Sequence, residues 1–221
     1  MGLDMYMDRV KKIKGMTLKQ ILSTANYIDY LNRPEKYSDS TFESWCGGDE
    51  DEVCKDRIDD VKANIKTTYW GWDTEHKYGH EGVAEGAAYW RKANSIHRWF
   101  VDNCGGGVDE CQLMEISKDN LEELLDIAQT VKASCELVDG KVCNGYMYKD
   151  GKEIPCMEDG KYIKDTSIAE ELLPTSSGFF FGGTDYDQWY LEDIDDTIKQ
   201  IKSILETTDF DNEYVTYQAS W

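Results

Sequence analysis

The sequence predicts an α+β fold: about four main helices packed on a small, mainly antiparallel sheet, with a peripheral β-meander. Three observations carry that expectation. Stretches with apolar residues three and four apart alternate with short stretches that repeat every second residue. The helical stretches open on capping residues and close before glycine or proline. Asp-Gly pairs, a strong signal for hairpin turns, recur three times between short extended segments.

The first ten residues alternate, with Leu3, Met5 and Met7 on one side and Asp4, Tyr6 and Asp8 on the other. That pattern predicts a half-buried strand broken by Gly15. Thr17 followed by Gln20 is a capping-box pair, and Leu18, Ile21, Leu22, Ala25, Ile28 and Leu31 form a helical stripe ending before Pro34. Glu35 to Asp51 reads as a surface loop anchored by Phe42 and Trp45. Val53, Ile58, Val61 and Ile65 predict a second helix over Glu52 to Ile65. Thr67 to Trp72 is β-branched and aromatic and reads as a short strand. Thr74 to Gly86 reads as a polar loop.

From Tyr89 to Asn103 the pattern predicts the central amphipathic helix. Trp90, Ala93, His97, Phe100 and Val101 fall on one face, widened by Tyr89 and Ile96, and Arg91, Lys92, Asn94 and Arg98 fall on the other. Asn103 and Gly105-Gly106-Gly107 supply residues that tolerate the left-handed backbone of a helix end.

Cys111 to Ile116 reads as extended. Asp119 with Glu122 predicts the cap of a further helix, whose stripe is Leu121, Leu124, Leu125, Ala128 and Val131. The Asp-Gly-Lys triplets at Asp139, Asp150 and Asp159 predict an antiparallel meander over 137–164, inserted in a single α+β domain of 1–221. Ser167 and Glu170 cap a short helical turn before Pro174. Thr184 and Asp187 open the last long helix, with Tyr190, Leu191, Ile194, Ile198, Ile201 and Leu205 on its stripe, and Tyr214 to Trp221 alternates again.

Composition narrows the function classes. Hydrophobic residues at 40% and aromatics at 12% suit a packed core rather than disorder. Forty-four acidic against 24 basic residues leave a formal charge of -20, a field that repels nucleic acid and anionic membrane and suits a basic protein partner. No apolar run approaches the roughly 18 residues of a membrane span. Asp4, Asp8, Arg9 and Lys11 interrupt any signal-peptide core, and Tyr6 stands where a myristoylation motif wants Ser or Thr. Seven cysteines, an odd number, read as free thiols in a reducing cytoplasm.

The candidate chemistry is sparse. Leu173 to Asp187 sets Ser, Thr and Gly around three phenylalanines just ahead of a helix start, a geometry that can cradle phosphate. It matches no phosphate-loop or dinucleotide pattern, and Asp185 and Asp187 sit in the first turn. The plain reading is a buried Phe strand, a tight turn and a capped helix; the sharper one is a pocket lined by Arg91, Lys92, His97, Ser177, Thr184 and Asp187. His97 on an apolar face reads as a hydrogen-bonded core residue, and a catalytic role needs an acid such as Asp102, Asp185 or Asp187 beside it. Arg91, Lys92 and Arg98 read first as ion-pair partners, and otherwise as an anion-binding edge. Cys46, Cys54, His76 and His80 have zinc-ligand chemistry at the wrong spacing, and the Asp-Gly pairs lack the calcium-loop ligand series. No catalytic residue, metal or cofactor is assigned.

The Met1-Gly2-Leu3-Asp4-Met5-Tyr6 start, the helix beginning Tyr89-Trp90-Arg91-Lys92-Ala93-Asn94-Ser95-Ile96-His97, the Gly107-Val108-Asp109-Glu110-Cys111 turn and the Leu172 to Asp187 segment together resemble a family of small, uncharacterised proteins encoded by tailed phages and prophages. The resemblance covers about a quarter of the chain and leaves out 46–74 and the Asp-Gly-Lys segment. It implies an accessory protein of the infected host's cytoplasm and brings no catalytic residue. With the acidic composition, it leads to the expectation of a non-enzymatic inhibitor of a host defence factor, a nucleic-acid-binding effector such as a CRISPR nuclease. A pocket protein that binds or processes a nucleotide-like small molecule is the alternative.

Overall fold

The computed structural model describes residues 2–33, 41–42, 49–70, 78–178 and 180–221 of the 221-residue chain. Its elements run β1 (Asp4–Lys11), α1 (Leu18–Asn32), α2 (Ile58–Lys62), β2 (Lys66–Trp70), β3 (Tyr78–Gly82), β4 (Ala84–Arg91), α3 (Asn94–Asn103), β5 (Met114–Ile116), α4 (Lys118–Ser134), β6 (Leu137–Lys149), β7 (Lys152–Ile163), α5 (Ser167–Leu172), α6 (Gln188–Thr207) and β8 (Glu213–Ser220). The fold is α+β, with a mainly antiparallel four-stranded sheet ordered β4-β1-β8-β5. The chain falls into two compact units: Met1–Met7, Ala87–Thr208 and Thr216–Trp221 in the first, Asp8–Gly86 and Asp209–Val215 in the second.

In the first unit, Leu3, Met5 and Met7 are fully buried, as the alternation requires. The central helix is shorter than its apolar spacing suggests. Tyr89, Trp90 and Arg91 belong to β4, and the helix begins at Asn94. The reason is pairing: the Lys92 N–H donates to the Leu3 carbonyl at 2.8 Å, and Lys92 then turns the chain at a φ of 62°. Trp90 still faces the core, donating from Nε1 to Thr197 Oγ1 at 3.0 Å, because one inward strand residue and a following helical stripe share a register. At the edge of the sheet the Gln200 side chain stands in for a strand. It accepts from the Tyr89 N–H at 2.8 Å and donates to the Tyr89 carbonyl at 2.9 Å. The glycine run ends α3 as expected, with Gly106 and Gly107 at positive φ and the Gly107 N–H on the Val101 carbonyl at 2.9 Å.

The cap of helix α4 lies two residues before the expected one. Ser117 Oγ accepts from the Asn120 N–H at 3.1 Å and the Asn120 side chain returns the bond, so the capping box is Ser117–Asn120. Leu121, Leu124, Ala128 and Val131 are buried on its stripe. Asp187 caps α6, accepting from the Trp189 and Tyr190 N–H groups, and Tyr190, Ile194, Ile198 and Ile201 bury its apolar side. The peripheral β-element over 137–164 is one long hairpin. Asp150 and Gly151 make its turn, whereas Asp139-Gly140-Lys141 and Asp159-Gly160-Lys161 face each other across the strands.

The second unit is built on α1. The Thr17–Gln20 capping box is present, and Ile21, Ala25 and Ile28 pack with Val10, Ile13, Met16 and Val61 in one apolar cluster. The expected helix over 52–65 is instead two 3-10 turns, Glu50–Glu52 and Lys55–Arg57, followed by the single turn of α2. The Cys54 N–H donates to Thr24 Oγ1 at 3.0 Å rather than to a helical carbonyl, which interrupts the ladder. The expected loop before β4 contains β3, which pairs antiparallel with β2 from Lys66↔Gly82 to Trp70↔Tyr78. Trp45, Cys46, Trp72 and His76 lie outside the described residues.

Candidate functional site

The site grows from the junction of β4 and α3. A strand that ends at Arg91 and a helix that starts at Asn94 leave only Lys92 and Ala93 to turn the chain, and Lys92 takes the left-handed conformation that a non-glycine residue adopts at a cost. Two glycines flank its side chain, and the tight approach is at Gly182. A Cβ on Gly2 would stand 3.5 Å from Lys92 Cε, and one on Gly182, itself at a φ of 94°, would stand 3.2 Å from Lys92 Cβ. The Lys92 stem therefore runs where both neighbours lack side chains.

Asn94 fastens the loop over this junction. Its Nδ2 donates to the Phe181 carbonyl at 3.2 Å and the Gly183 carbonyl at 2.8 Å, while its Oδ1 accepts from the Ser176 N–H at 2.9 Å. The Leu3 N–H donates to the Phe180 carbonyl at 3.2 Å. On the same helix His97 Nε2 lies 3.1 Å from Asp109 Oδ2. The start of the chain, the central segment, the Gly107–Cys111 turn and the Leu172–Asp187 segment thus meet around α3. Of the expected Phe strand, Phe180 and Phe181 belong to no strand, and Phe179 lies outside the described residues. Phe180 is half-exposed at a φ of 79°, Phe181 is buried, and backbone groups of the segment bond to Asn94 instead of to a strand.

A cleft of about 580 Å³ opens beside the junction. Arg91, Lys92, Asn94 and Ser95 line it, together with Thr175, Gly182, Gly183, Asp185 and Asp187. Trp189, Tyr190 and Asp193 of α6 line it, as do Cys143 to Tyr146, the irregular step of the β6–β7 hairpin. Arg91 Nη1 lies 3.7 Å from Asp4 Oδ1, a loose and half-exposed pair. Burial pushes the Asp193 carboxyl up to about 7, helped by the charges of Asp196, Glu192 and Asp187. Burial also raises Asp187, opposed by the Tyr190 and Trp189 N–H groups it accepts.

Of the six pocket residues expected from sequence, Arg91, Lys92 and Asp187 share this cleft. The other three do not line it. His97 is 1% exposed, held by Tyr217 Oη at 2.8 Å from Nδ1 and by Asp109. Its acid is thus Asp109, neither Asp185 nor the capping Asp187, while Asp102 pairs with Arg98 at 3.3 Å. Ser177 and Thr184 are exposed, and the Thr184 carbonyl accepts from Thr175 Oγ1 at 3.0 Å. The expected basic helix face is not continuous, since Arg91 and Lys92 precede the helix and Asn94 is 4% exposed. Sequence reasoning passed over Ser95, Asp109, Trp189 and Asp193. Their signal was weak, because none belongs to a recognised spacing. Among the described residues no three metal-ligating side chains cluster, and six cysteines are free.

The chain matches no protein-family model, no curated protein and no solved structure. Among the described residues no helix is long and apolar enough to cross a membrane.

Proposed function

We propose that the cleft beside α3 binds a nucleotide-like small molecule. The observation that carries this reading is the convergence of the adjacent Arg91 and Lys92 with Asp187, far along the chain, on one cleft of about 580 Å³, within the usual range for small ligands. Trp189 and Tyr146 supply rings on which a base can stack, and Asp193, poised near 7, can accept from or donate to a base edge. A thermal-shift panel of nucleotides and nucleosides on the purified protein tests it. At least one ligand should raise the melting temperature, and R91Q and D193N should diminish the rise. No rise with any of them at millimolar concentration sinks the reading.

The second reading is a phage-encoded accessory protein that binds and inhibits a basic host defence factor, such as a nucleic-acid-binding CRISPR nuclease. It draws on the resemblance and on the -20 charge. Exposed acids on α4 (Asp119, Glu122, Glu123 and Asp126) and on α6 (Glu192 and Asp196) favour it. Such docking weakens as salt rises. Recovery of a basic nucleic-acid-binding host protein at low salt, shed at moderate salt, is the expected pull-down result; binding indifferent to salt refutes the mimicry.

A further inference from the structure

We propose that the first turn of α3 is the phosphate subsite of this cleft, an inference that rests on the nucleotide-like reading. Ala93 stands at the N-cap and gives the ten-residue helix no side-chain cap. The Asn94 N–H is bonded to the Lys92 carbonyl, and the Ile96 and His97 N–H groups to the Ala93 carbonyl. Among the described residues the Ser95 N–H is left over as a donor. Ser95 itself is 3% exposed and lines the cleft, yet its hydroxyl has no partner among the described residues. Ser95 Oγ is not one of the sealed, unsatisfied atoms of the described residues, so this oxygen opens to the cleft and is free to meet a ligand. An oxyanion seated there takes the hydroxyl proton and the N–H at the positive end of the helix.

Lys92 completes the charge. Its stem passes between Gly2 and Gly182, and it forms no ion pair with any described residue. Phosphate, rather than an uncharged group, matches a cation beside two convergent donors. The carboxylates that line the same cleft define the rest of the ligand. Asp187 is occupied by the Trp189 and Tyr190 N–H groups, whereas Asp185 and Asp193 would repel a bare anion. The subsite therefore favours a phosphate carried on a group with hydrogen-bond donors, which a nucleotide base supplies and inorganic phosphate does not.

Calorimetric titration of the full chain with nucleoside monophosphates, their nucleosides and inorganic phosphate separates the possibilities. The expected result is a monophosphate bound at least about tenfold more tightly than its nucleoside, with that advantage lost in S95A and in K92Q and kept in R98Q, whose guanidinium is tied to Asp102. The Ser95 backbone amide resonance of the unmutated protein should shift on adding the monophosphate, a readout that does not depend on the variants folding. Nucleosides that bind as well as monophosphates, or a still Ser95 resonance, overturn the subsite and leave the cleft reading standing. Inorganic phosphate binding as tightly as the monophosphate overturns the nucleotide-borne source. No binding of nucleoside or nucleotide overturns both.

Discussion

Asn94 holds Gly183, 89 residues further along the chain, by a 2.8 Å bond from Nδ2 to the backbone carbonyl. The same amide reaches Phe181 and receives Ser176, so one buried side chain satisfies three backbone groups of a loop without regular structure. Replacing Asn94 by Ala leaves those groups without their partner, at a cost of about 2–3 kcal/mol. Asn94→Asp puts a carboxylate against two carbonyl oxygens and should cost at least as much. Equilibrium urea unfolding of both variants checks this, and a loss below about 0.5 kcal/mol would mean that the loop is held by other contacts.

A second locked pair is His97 and Tyr217. The tyrosine hydroxyl is 2.8 Å from His97 Nδ1, and its ring stacks on Phe100 with centroids 4.1 Å apart. Tyr217→Phe keeps the stacking and removes the hydrogen bond, leaving Nδ1 buried and unpaired. The expected loss is about 1–3 kcal/mol. Phe in place of Tyr with unchanged stability would show that His97 is satisfied by Asp109 alone.

The two inner Asp-Gly pairs show where local signals mislead. Gly140 and Gly160 are cross-strand partners, and the space above each is taken: a Cβ on Gly140 would lie 2.5 Å from Tyr162 Cε1, and one on Gly160 would lie 2.4 Å from Val142 Cγ2. These glycines serve close packing within the hairpin and not a turn. Gly160→Ala should destabilise by about 1–3 kcal/mol, and Val142→Ala in the same chain should recover part of the loss. Additive losses in a double-mutant cycle would remove the steric explanation.

What the sequence makes legible depends on how far apart the deciding partners are. The β1 alternation, the Thr17 cap, the α4 and α6 stripes and the glycine stop after α3 are local, and each appears in the structure as read. The start of α3 was misplaced because the backbone partner of Lys92 is Leu3, far away in sequence. The helix over 52–65 fails for a similar reason, the Thr24 hydroxyl drawing off the Cys54 N–H. The site was half legible. Arg91, Lys92 and Asp187 stand out by charge and capping, while Ser95 and Asp193 matter only through burial and missing partners, which no spacing reports.

Lys92 offers a direct test of strain at the junction. Its φ of 62° suits glycine or asparagine better than lysine. Lys92→Gly should therefore hold or raise stability, by up to about 1 kcal/mol, while removing the cation from the cleft. Stability lost on this substitution would mean that the lysine stem packs for structure. Stability kept, with weaker binding of phosphate-bearing ligands, assigns the strain to the site.

Asp193 makes stability depend on pH in a stated direction. Its carboxyl is pushed up to about 7 from an ordinary value of 3.8, chiefly by burial and then by Asp196, Glu192 and Asp187. Because the folded chain holds this proton more tightly than the unfolded chain, the contribution is fully present below about pH 4. It fades as pH rises and is lost above about 7. Asp193→Asn carries no such charge, so it should be more stable than the unmutated protein at pH 8, by about 1–2 kcal/mol once partial solvent screening is allowed for. At pH 4 the two proteins should differ little. Denaturant titrations of both proteins at pH 4, 6 and 8 measure the difference directly, which cancels the background of the other 43 acidic residues (44 less Asp193). A difference that stays flat from pH 4 to 8 would place Asp193 in water and ionised throughout, and would take from the cleft the neutral carboxyl that its base-edge role requires.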